Sequence, residues 1–222
     1  MIRARNLVKN YSLGHTTVHA LRGVDLDIAR GEHLCVSGPS GAGKSTLLNI
    51  LGLLDDASAG EFSFDGVQIG SLSDRQRHRF RRDRIAFVFQ SFNLVPVLDA
   101  RENIEFPLLI QKVPAPERKK RILQLAEEVG IRDYLDHKPD ELSGGQRQRV
   151  AIARALVTKP QVVFADEPTA NLDSVNGAAV LDVMRRLNRE EKTTFVVASH
   201  DQVVMREADR MIRVVDGVVA DV

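Results

Sequence analysis

The sequence predicts an α/β fold built on a parallel sheet into which a helical subdomain is inserted. Three observations predict it. A Gly-rich loop at 38–45 lies between an apolar strand and a helix, residues 91–157 have a helical pattern, and short apolar strands resume at 162–165 and 193–198. Strands that alternate with helices in this way are typical of parallel sheets.

The elements of the first ninety residues are mostly strands. Partial alternation of apolar and polar residues predicts strands over 2–8 and 18–28, and compact apolar runs predict two more over 60–66 and 84–90. A helix is predicted to follow the Gly-rich loop at 44–54.

Domain boundaries follow from the change of pattern. Residues 1–90 and 158–222 are expected to form the core with its β subdomain, and residues 91–157 the helical subdomain. Within that subdomain, Ile122, Leu125, Ala126 and Val129 fall at helical spacing on one face. The whole chain is expected to be one domain.

Composition excludes some classes of protein. The 222 residues carry 31 Lys and Arg against 30 Asp and Glu, so the net charge of +1 gives no global attraction to nucleic acid or to an anionic membrane. The single cysteine, Cys35, cannot form an internal disulfide and is expected to be a core residue in a reducing cytoplasm. Because no long apolar run follows the N-terminus, we expect a chain that is neither secreted nor membrane-spanning.

The Gly-rich loop matches the P-loop pattern at every required position. Its glycines let backbone N–H groups turn toward phosphate oxygens, and the following helix directs its positive end at them. A match without function would be an accident of composition, but here a strand and a helix flank the loop as a phosphate site requires. The predicted nucleotide-binding residues are Gly38, Pro39, Ser40, Gly41, Ala42, Gly43, Lys44, Ser45 and Thr46.

Two residues of this loop have distinct predicted roles. Lys44 is expected to bind the β- and γ-phosphates of ATP, and the Ser45 hydroxyl to ligate Mg²⁺. Asp166, at the carboxyl end of the apolar strand 162–165, can hold the same ion through a water molecule. Glu167 follows directly and is predicted to polarise the water that attacks the γ-phosphate. Without a P-loop, this Asp-Glu pair would be an ordinary strand end.

Taken together with these motifs, the chain resembles the ATP-binding subunit of an ATP-binding cassette (ABC) transporter over nearly its whole length. The resemblance is carried by the signature Leu142–Gln146, which other P-loop ATPases do not need, by residues 171–173 in the place of the D-loop, and by the order of the motifs. It implies the ABC ATPase fold, a RecA-like P-loop NTPase core with an antiparallel β subdomain and a helical subdomain. It also implies ATP hydrolysis with Mg²⁺.

The resemblance gives roles to further residues. Gln90 occupies the Q-loop position, where its amide would contact Mg²⁺ and the attacking water, and His200 is the switch histidine that would sense the γ-phosphate. Tyr11 matches the aromatic residue that stacks on adenine. The alternatives are a half-buried strand aromatic for Tyr11, a simple strand end for Gln90 and a structural histidine for His200.

The signature implies a second copy of the chain. Ser143 can cap a helix whose first N–H groups are open to an anion, yet it lies far along the chain from the P-loop. The resemblance implies a head-to-tail homodimer that encloses two ATP molecules, so that each signature covers the partner's P-loop. The predicted contact residues are Ser143, Gly144, Gly145 and Gln146.

Partners and location are also implied by the resemblance. A separate transmembrane permease is expected to contact residues 91–97, directly after Gln90, although Phe92 and Leu94 could instead pack internally. The chain would then lie at the cytoplasmic face of the inner membrane as a peripheral protein. The Arg-rich stretch 74–84 is expected to be a solvated helix and not a nucleic-acid site, because acidic residues interrupt it and Phe80 is its single aromatic.

Three stretches, 51–55, 92–96 and 102–109, look most like the lipoprotein-releasing and macrolide-exporting branch of the family. The expected function is to power export or release of a hydrophobic or lipidated substrate. One alternative is a non-transport switch that signals through a membrane partner, as in cell division. A soluble DNA-repair ATPase is disfavoured because no long coiled coil interrupts the chain.

Overall fold

The computed structural model describes residues 1–170 and 172–220. Its strands are β1 (Ile2–Leu13), β2 (Thr16–Ile28), β3 (His33–Ser37), β4 (Ala59–Phe64), β5 (Val67–Gln68), β6 (Ile85–Val88), β7 (Val162–Asp166), β8 (Thr194–Ala198), β9 (Arg210–Val215) and β10 (Val218–Ala220). Its α-helices are α1 (Lys44–Leu51), α2 (Asp74–Arg84), α3 (Ala100–Ile110), α4 (Ala115–Glu128), α5 (Gly144–Leu156), α6 (Ser174–Glu191) and α7 (Gln202–Arg206).

The first sheet is antiparallel, with the strand order β2-β1-β4-β5. β1 pairs with β2 from Ile2 opposite Ile28 to Leu13 opposite Thr16, and the register shifts at three places along the pair. Such shifts bend and twist a strand pair. The predicted antiparallel β subdomain is therefore present, and its strands extend further than the alternation of residues indicated.

The second sheet has six strands in the order β10-β9-β3-β8-β7-β6. All its pairs are parallel except the pair of β9 with β10 at one edge. β3 and β8 are buried along their whole length, which is typical of parallel strands covered on both faces. The carboxyl ends of β3, β7 and β8 meet at one edge of the sheet, where ligands bind in open α/β sheets.

The two faces of this sheet belong to two separate apolar cores. In β7, Val163 and Ala165 lie in a core shared with α3, α4, α5 and α6, whereas Val162 and Phe164 lie in a core shared with α1 and the antiparallel sheet. Alternate residues of a strand point to opposite faces, so this division follows from the pleat. The parallel sheet is thus the middle layer of three.

The helical part of the chain begins later than the sequence predicts. Helices are expected from residue 91, but the first one starts at Ala100, where Asp99 caps it and Glu102 completes a reciprocal capping box. Residues 91–99 form no regular element, and Phe92 and Asn93 both have positive φ. The helical pattern expected from about residue 91 therefore begins later, at Ala100, since the segment before it contains Pro96 and two left-handed residues.

The basic stretch forms a helix, as predicted. It is α2, which starts from a capping box in which the side chain of Gln76 accepts a hydrogen bond of 2.9 Å from the backbone N–H of Ser73. Phe80 is its buried residue, and three of its six arginines, Arg75, Arg79 and Arg82, are exposed. The helix therefore presents a positive surface to solvent and a single aromatic anchor to the core.

Candidate functional site

The loop of residues 38–45 joins β3 to α1 and depends on two glycines. Gly38 has a φ of 142°, and an added Cβ would lie 2.1 Å from the carbonyl oxygen of Val214. Gly43 has a φ of 104°, and its Cβ would lie 2.4 Å from the carbonyl oxygen of Ala20. No other residue fits these positions without moving the backbone of a neighbouring strand. The loop shape is therefore fixed from both sides.

Lys44 is the first residue of α1 and folds back across the loop. Its Nζ atom donates hydrogen bonds to the carbonyl oxygens of Gly38 at 2.8 Å and Pro39 at 3.0 Å. The ammonium group is thereby held at the mouth of the loop, beside the first turn of a helix whose N–H groups attract anions. This arrangement is suited to binding phosphate.

A cleft of about 720 Å³ opens over this loop. It brings together the predicted residues outside the signature, with one exception, although they come from five separate parts of the chain. Ala42 is the exception in the loop, because its side chain is 5% exposed and packs in the core. The predicted residues that line the cleft are Tyr11, Gly38, Pro39, Ser40, Gly41, Gly43, Lys44, Ser45, Thr46, Gln90, Asp166, Glu167 and His200.

Glu167 is held by two polar neighbours at the carboxyl ends of β7 and β8. Its Oε1 atom lies 2.7 Å from Nδ1 of His200, and its Oε2 atom accepts a hydrogen bond of 3.2 Å from the Ser199 hydroxyl. The Glu167 side chain is 14% exposed, whereas that of His200 is 75% exposed. Glu167 also has a φ of 48°. This region of φ is uncommon for a non-glycine residue.

The same cleft contains the donors that a hard cation prefers. The Ser45 hydroxyl, the Gln90 amide and the Asp166 carboxylate all line it. Oxygen ligands of this kind, few in number and completed by substrate phosphates, are characteristic of Mg²⁺ sites in phosphoryl-transfer proteins. Within the described ranges 1–170 and 172–220, there is no cluster of three or more His, Cys, Asp or Glu that could hold a metal by itself. These residues therefore fit Mg²⁺ bound together with a nucleotide.

The signature residues lie elsewhere. Ser143 caps α5 by accepting a hydrogen bond of 3.3 Å from the N–H of Gln146, whose side chain accepts one of 2.8 Å from the N–H of Ser143. Gly145 is packed so closely that an added Cβ would lie 2.8 Å from the Asn176 side chain. Among the described residues, the cleft lining includes none of Ser143, Gly144, Gly145 and Gln146. Within one chain these residues are thus separate from the P-loop.

The loop that follows Gln90 is tied to α5 by two arginines. Arg154 donates hydrogen bonds to the carbonyl oxygens of Phe92 at 2.8 Å and Asn93 at 2.6 Å, and burial lowers the pKa of its guanidinium. Arg147 lies over the Phe92 ring, 5.3 Å from its centroid. Leu94 packs against the core, as the internal alternative for that residue predicted. This segment and α5 therefore form one connected unit.

Sequence reasoning missed one wall of the cleft. Val18, His19 and Ala20 of β2 line it beside Tyr11. No motif contains these residues, and they reach the cleft because β2 pairs with β1, where Val18 lies opposite Tyr11. Of the predicted D-loop at 171–173, Asn171 lies outside the described residues, and Asp173 caps α6 by accepting from the N–H groups of Val175 and Asn176.

Within residues 1–170 and 172–220, no helix is both long enough and apolar enough to cross a membrane.

Comparison with known proteins identifies the family. A family model described as ABC transporter matches residues 21–170. The ABC transporter ATP-binding protein MJ0796 of Methanocaldococcus jannaschii is 44% identical over 221 residues, which cover 98% of this chain and 94% of that protein. The dimeric structure of MJ0796 in a post-hydrolysis state, bound to ADP and Pi, has a TM-score of 0.93 at 43% identity and covers 99% of this chain and 96% of that one. These likenesses confirm the predicted fold class.

Two further relatives bear names from the branch predicted from the sequence. The lipoprotein-releasing system ATP-binding protein LolD of Saccharophagus degradans is 44% identical over 218 residues, covering 98% of this chain and 96% of that protein. The macrolide export ATP-binding/permease protein MacB of Syntrophobacter fumaroxidans is 43% identical over 221 residues, covering 99% of this chain but 31% of that longer protein. Since the matched region carries the P-loop, the paired carboxylates and the signature in one fold, this chain belongs to the ABC transporter family, as an ATP-binding subunit that hydrolyses ATP.

Proposed function

We propose that two copies of this chain close head to tail around two ATP molecules and that this cycle powers a separate membrane permease. The observation that carries the proposal is the separation of the two phosphate-binding parts. The P-loop lines the nucleotide cleft, whereas Ser143 and the start of α5 do not. A second copy, related by a two-fold axis, supplies the missing N–H groups to the γ-phosphate. The solved dimer of MJ0796 supports this arrangement.

Within each cleft, the chain's own residues position ATP and the attacking water. Tyr11 stacks on adenine, the loop N–H groups and Lys44 hold the β- and γ-phosphates, and Glu167 accepts a proton from the water whose oxygen attacks the γ-phosphorus. The bond from that phosphorus to the bridging oxygen of ADP breaks. His200 donates a hydrogen bond to the γ-phosphate from its place beside Glu167.

Mg²⁺ would be held by the Ser45 hydroxyl, the Gln90 amide and, through water, the Asp166 carboxylate. When bound, it neutralises charge on the β- and γ-phosphate oxygens. Gln90 also lies at the start of the segment proposed to meet the permease. We therefore assign to Gln90 a dual role, in which it contacts the reacting groups and follows the movement of residues 91–157, the helical subdomain.

The permease is proposed to bind in a groove of about 830 Å³ beside the segment that follows Gln90. Phe106 and Ile110 of α3 line it and are 47% and 49% exposed. On the opposite side, Arg75, Arg79 and Arg82 of α2 supply positive charge. We expect the permease segment to present apolar side chains to α3 and acidic ones to α2. This chain would then be peripheral at the cytoplasmic face of the inner membrane.

The cargo class rests on the likeness to LolD and MacB. The first name describes lipoprotein release and the second macrolide export by a protein with ATP-binding and permease parts. We propose that the permease partner of this chain exports or releases a hydrophobic or lipidated substrate. A substrate-transfer assay with co-purified permease in vesicles tests this. ATP turnover without any transfer would instead favour a non-transport switch.

A mixing experiment tests the shared site directly. Ser143→Arg and Lys44→Ala chains are each expected to be inactive alone, since each kind of homodimer has two defective sites. Mixed dimers contain one intact site, formed by Lys44 of one chain and Ser143 of the other. ATPase activity should therefore return on mixing, whereas mixing two batches of Lys44→Ala should restore nothing. Absence of rescue in dimers shown to be mixed would contradict the proposal.

A further inference from the structure

Tyr11 is tied to a residue outside the nucleotide cleft. Its ring lines the cleft from β1, and its hydroxyl donates a hydrogen bond of 2.7 Å to Oδ2 of Asp55. Asp55 follows α1, the helix that begins with Lys44, and its own N–H donates to the carbonyl oxygen of Asn49 in that helix at 3.2 Å. The adenine side of the cleft and the P-loop helix are thus joined through the Asp55 carboxylate, in addition to the interaction of the Tyr11 hydroxyl with the Thr46 side chain of α1.

Lys9 completes this contact. Its Nζ atom lies 2.6 Å from Oδ1 of Asp55 and 4.8 Å from the centroid of the Tyr11 ring. Lys9 and Tyr11 are two residues apart on β1 and therefore lie on the same face of the strand. The side chains of Lys9 and Asp55 are 12% and 29% exposed, so the ion pair is shielded more than a surface pair. The Tyr11 ring is therefore held from two sides, by the Lys9 ammonium group near its face and by the hydrogen bond from its hydroxyl to Asp55.

Electrostatics agree with this geometry. Burial, and then the hydrogen bond to Asp55, raise the pKa of the Tyr11 hydroxyl, which keeps it a protonated donor at neutral pH. Although burial acts in the opposite direction, hydrogen bonds from Lys9 and Tyr11 hold the pKa of the Asp55 carboxyl below its usual range. Asp55 is therefore a charged acceptor, and hydrogen bonds to charged acceptors are the strong ones.

Asp55 is not part of the cleft proposed to bind the nucleotide. It lines a different cleft, of about 470 Å³, together with Leu7, Phe62 and Arg77. Among the described residues, the lining of the nucleotide cleft includes neither Lys9 nor Asp55. Any influence of these two residues on nucleotide binding must therefore pass through the Tyr11 ring or through α1.

We propose that Lys9 and Asp55 are positioning residues that fix the Tyr11 ring in advance for the adenine base. The proposal rests on the proposed stacking of Tyr11 on adenine. Fixing a side chain before binding removes the entropic cost of ordering it, about 0.5–1.5 kcal/mol, which corresponds to about two- to tenfold in affinity. Because the effect passes through the base, it applies to ATP and not to a phosphate chain without a base.

Nucleotide affinity tests this, with ATP and inorganic tripolyphosphate as the two probes. Tyr11→Phe keeps the aromatic ring but removes the hydroxyl that donates to Asp55, and Asp55→Ala removes the carboxylate that accepts this hydrogen bond. Each is expected to weaken ATP binding about two- to tenfold and to raise the KM for ATP equally. Asp55→Ala should leave kcat and tripolyphosphate binding unchanged. The double variant should be no weaker than either single one. Asp27→Ala, which breaks the exposed ion pair of Asp27 with Arg5, is the matched control.

A spectroscopic measurement separates positioning from general damage. The chain has two tyrosines and no tryptophan, so Tyr134→Phe leaves Tyr11 as the only tyrosine. In that background, Asp55→Ala should lower the pH at which the tyrosinate absorbance of Tyr11 develops, because it removes a negative acceptor. Asp27→Ala should leave that pH unchanged.

Each outcome has a definite meaning. If Tyr11→Ala does not weaken ATP binding, the stacking role itself is wrong, and the positioning role fails with it. If Tyr11→Ala weakens ATP binding but Tyr11→Phe and Asp55→Ala do not, only the positioning role is overturned. Equal loss of ATP and tripolyphosphate binding in Asp55→Ala would show that Asp55 acts through α1 and the P-loop, which also overturns it.

Discussion

The Nδ1 atom of His200 lies 2.7 Å from Oε1 of Glu167, across the carboxyl ends of β7 and β8. One oxygen of the proposed base thus faces the proposed γ-phosphate sensor, and the other faces the Ser199 hydroxyl. The two residues that should act on the terminal phosphate and on the attacking water therefore adjust their positions together.

Glu167→Gln should separate ATP binding from hydrolysis. The amide keeps the shape of the side chain but cannot accept a proton, so turnover should fall by about 10²–10⁴-fold while ATP affinity is retained. Light scattering should show a dimer that persists in ATP. Glu190→Gln, an exposed change on α6, is the matched control. Normal turnover in Glu167→Gln would remove Glu167 from the chemistry.

His200→Ala should also slow hydrolysis, through the loss of a hydrogen-bond donor to the γ-phosphate. Loss of a donor to the developing charge typically costs about 10²-fold in kcat. Because His200 and Glu167 are in contact, the double variant with Glu167→Gln should be no slower than Glu167→Gln alone. His137→Ala, another exposed histidine, serves as the control in steady-state assays. Fully multiplicative losses would mean that the two residues act independently.

Phe164 is expected to be a main determinant of stability. Its side chain is 0% exposed, and its ring stacks on that of Phe87 at a centroid distance of 5.5 Å. Phe164→Ala leaves a cavity in the middle layer and should lower the free energy of unfolding by about 3–5 kcal/mol. Urea denaturation measures this.

Two control variants test whether the loss in Phe164→Ala comes from the cavity in the core. Phe164→Leu retains more volume and should cost less than Phe164→Ala. Val175→Ala, at a side chain that is 76% exposed, should change the free energy of unfolding by no more than about 0.5 kcal/mol. An equal loss at both positions would contradict the assignment of Phe164 to the core.

Cys35 should react with thiol reagents only when the chain unfolds. It is 0% exposed in β3, and burial, followed by the nearby charge of Glu167, raises the pKa of its thiol from 9.0 to about 11. Because the folded pKa is the higher one, the stability contributed by the protonated thiol is complete below pH 9.0 and is lost as the pH rises through about 11.

Modification of Cys35 by a coloured disulfide reagent at mildly alkaline pH provides the measurement. The rate should be very low in buffer and should rise with urea along the unfolding curve. Cys35→Ser removes the signal and shows that no other group contributes. Rapid modification of the folded chain would contradict burial of this thiol.

Many residues of the candidate site could be predicted from the sequence because they lie in short continuous motifs. The P-loop needs eight consecutive residues, and Asp166 and Glu167 directly follow a buried strand, so local pattern alone indicates where they lie. The start of α5 is equally local, since Ser143 and Gln146 cap it within four residues. Roles that depend on a second chain follow from the resemblance and stay predictions here.

Contacts between residues far apart in the sequence could not be predicted from local motifs. Lys9 and Asp55 are 46 residues apart, and they meet only because β1 packs beside the segment that follows α1. The same applies to Val18, which reaches the cleft through the pairing of β2 with β1. The late start of α3 has a local cause, because the positive φ values at Phe92 and Asn93 break an otherwise apolar pattern.

The two hydrogen bonds from Arg154 connect the C-terminal part of α5 to the loop after Gln90. Arg154 binds the segment proposed to meet the permease. Ser143, the signature serine that caps the same helix, lies eleven residues earlier. At 1.5 Å per residue, the two are separated by about 16 Å along the helix axis. A helix of this length is stiff. If the proposed permease contact displaces this segment, Ser143 should move with it relative to the neighbouring copy, because both are attached to the same helix.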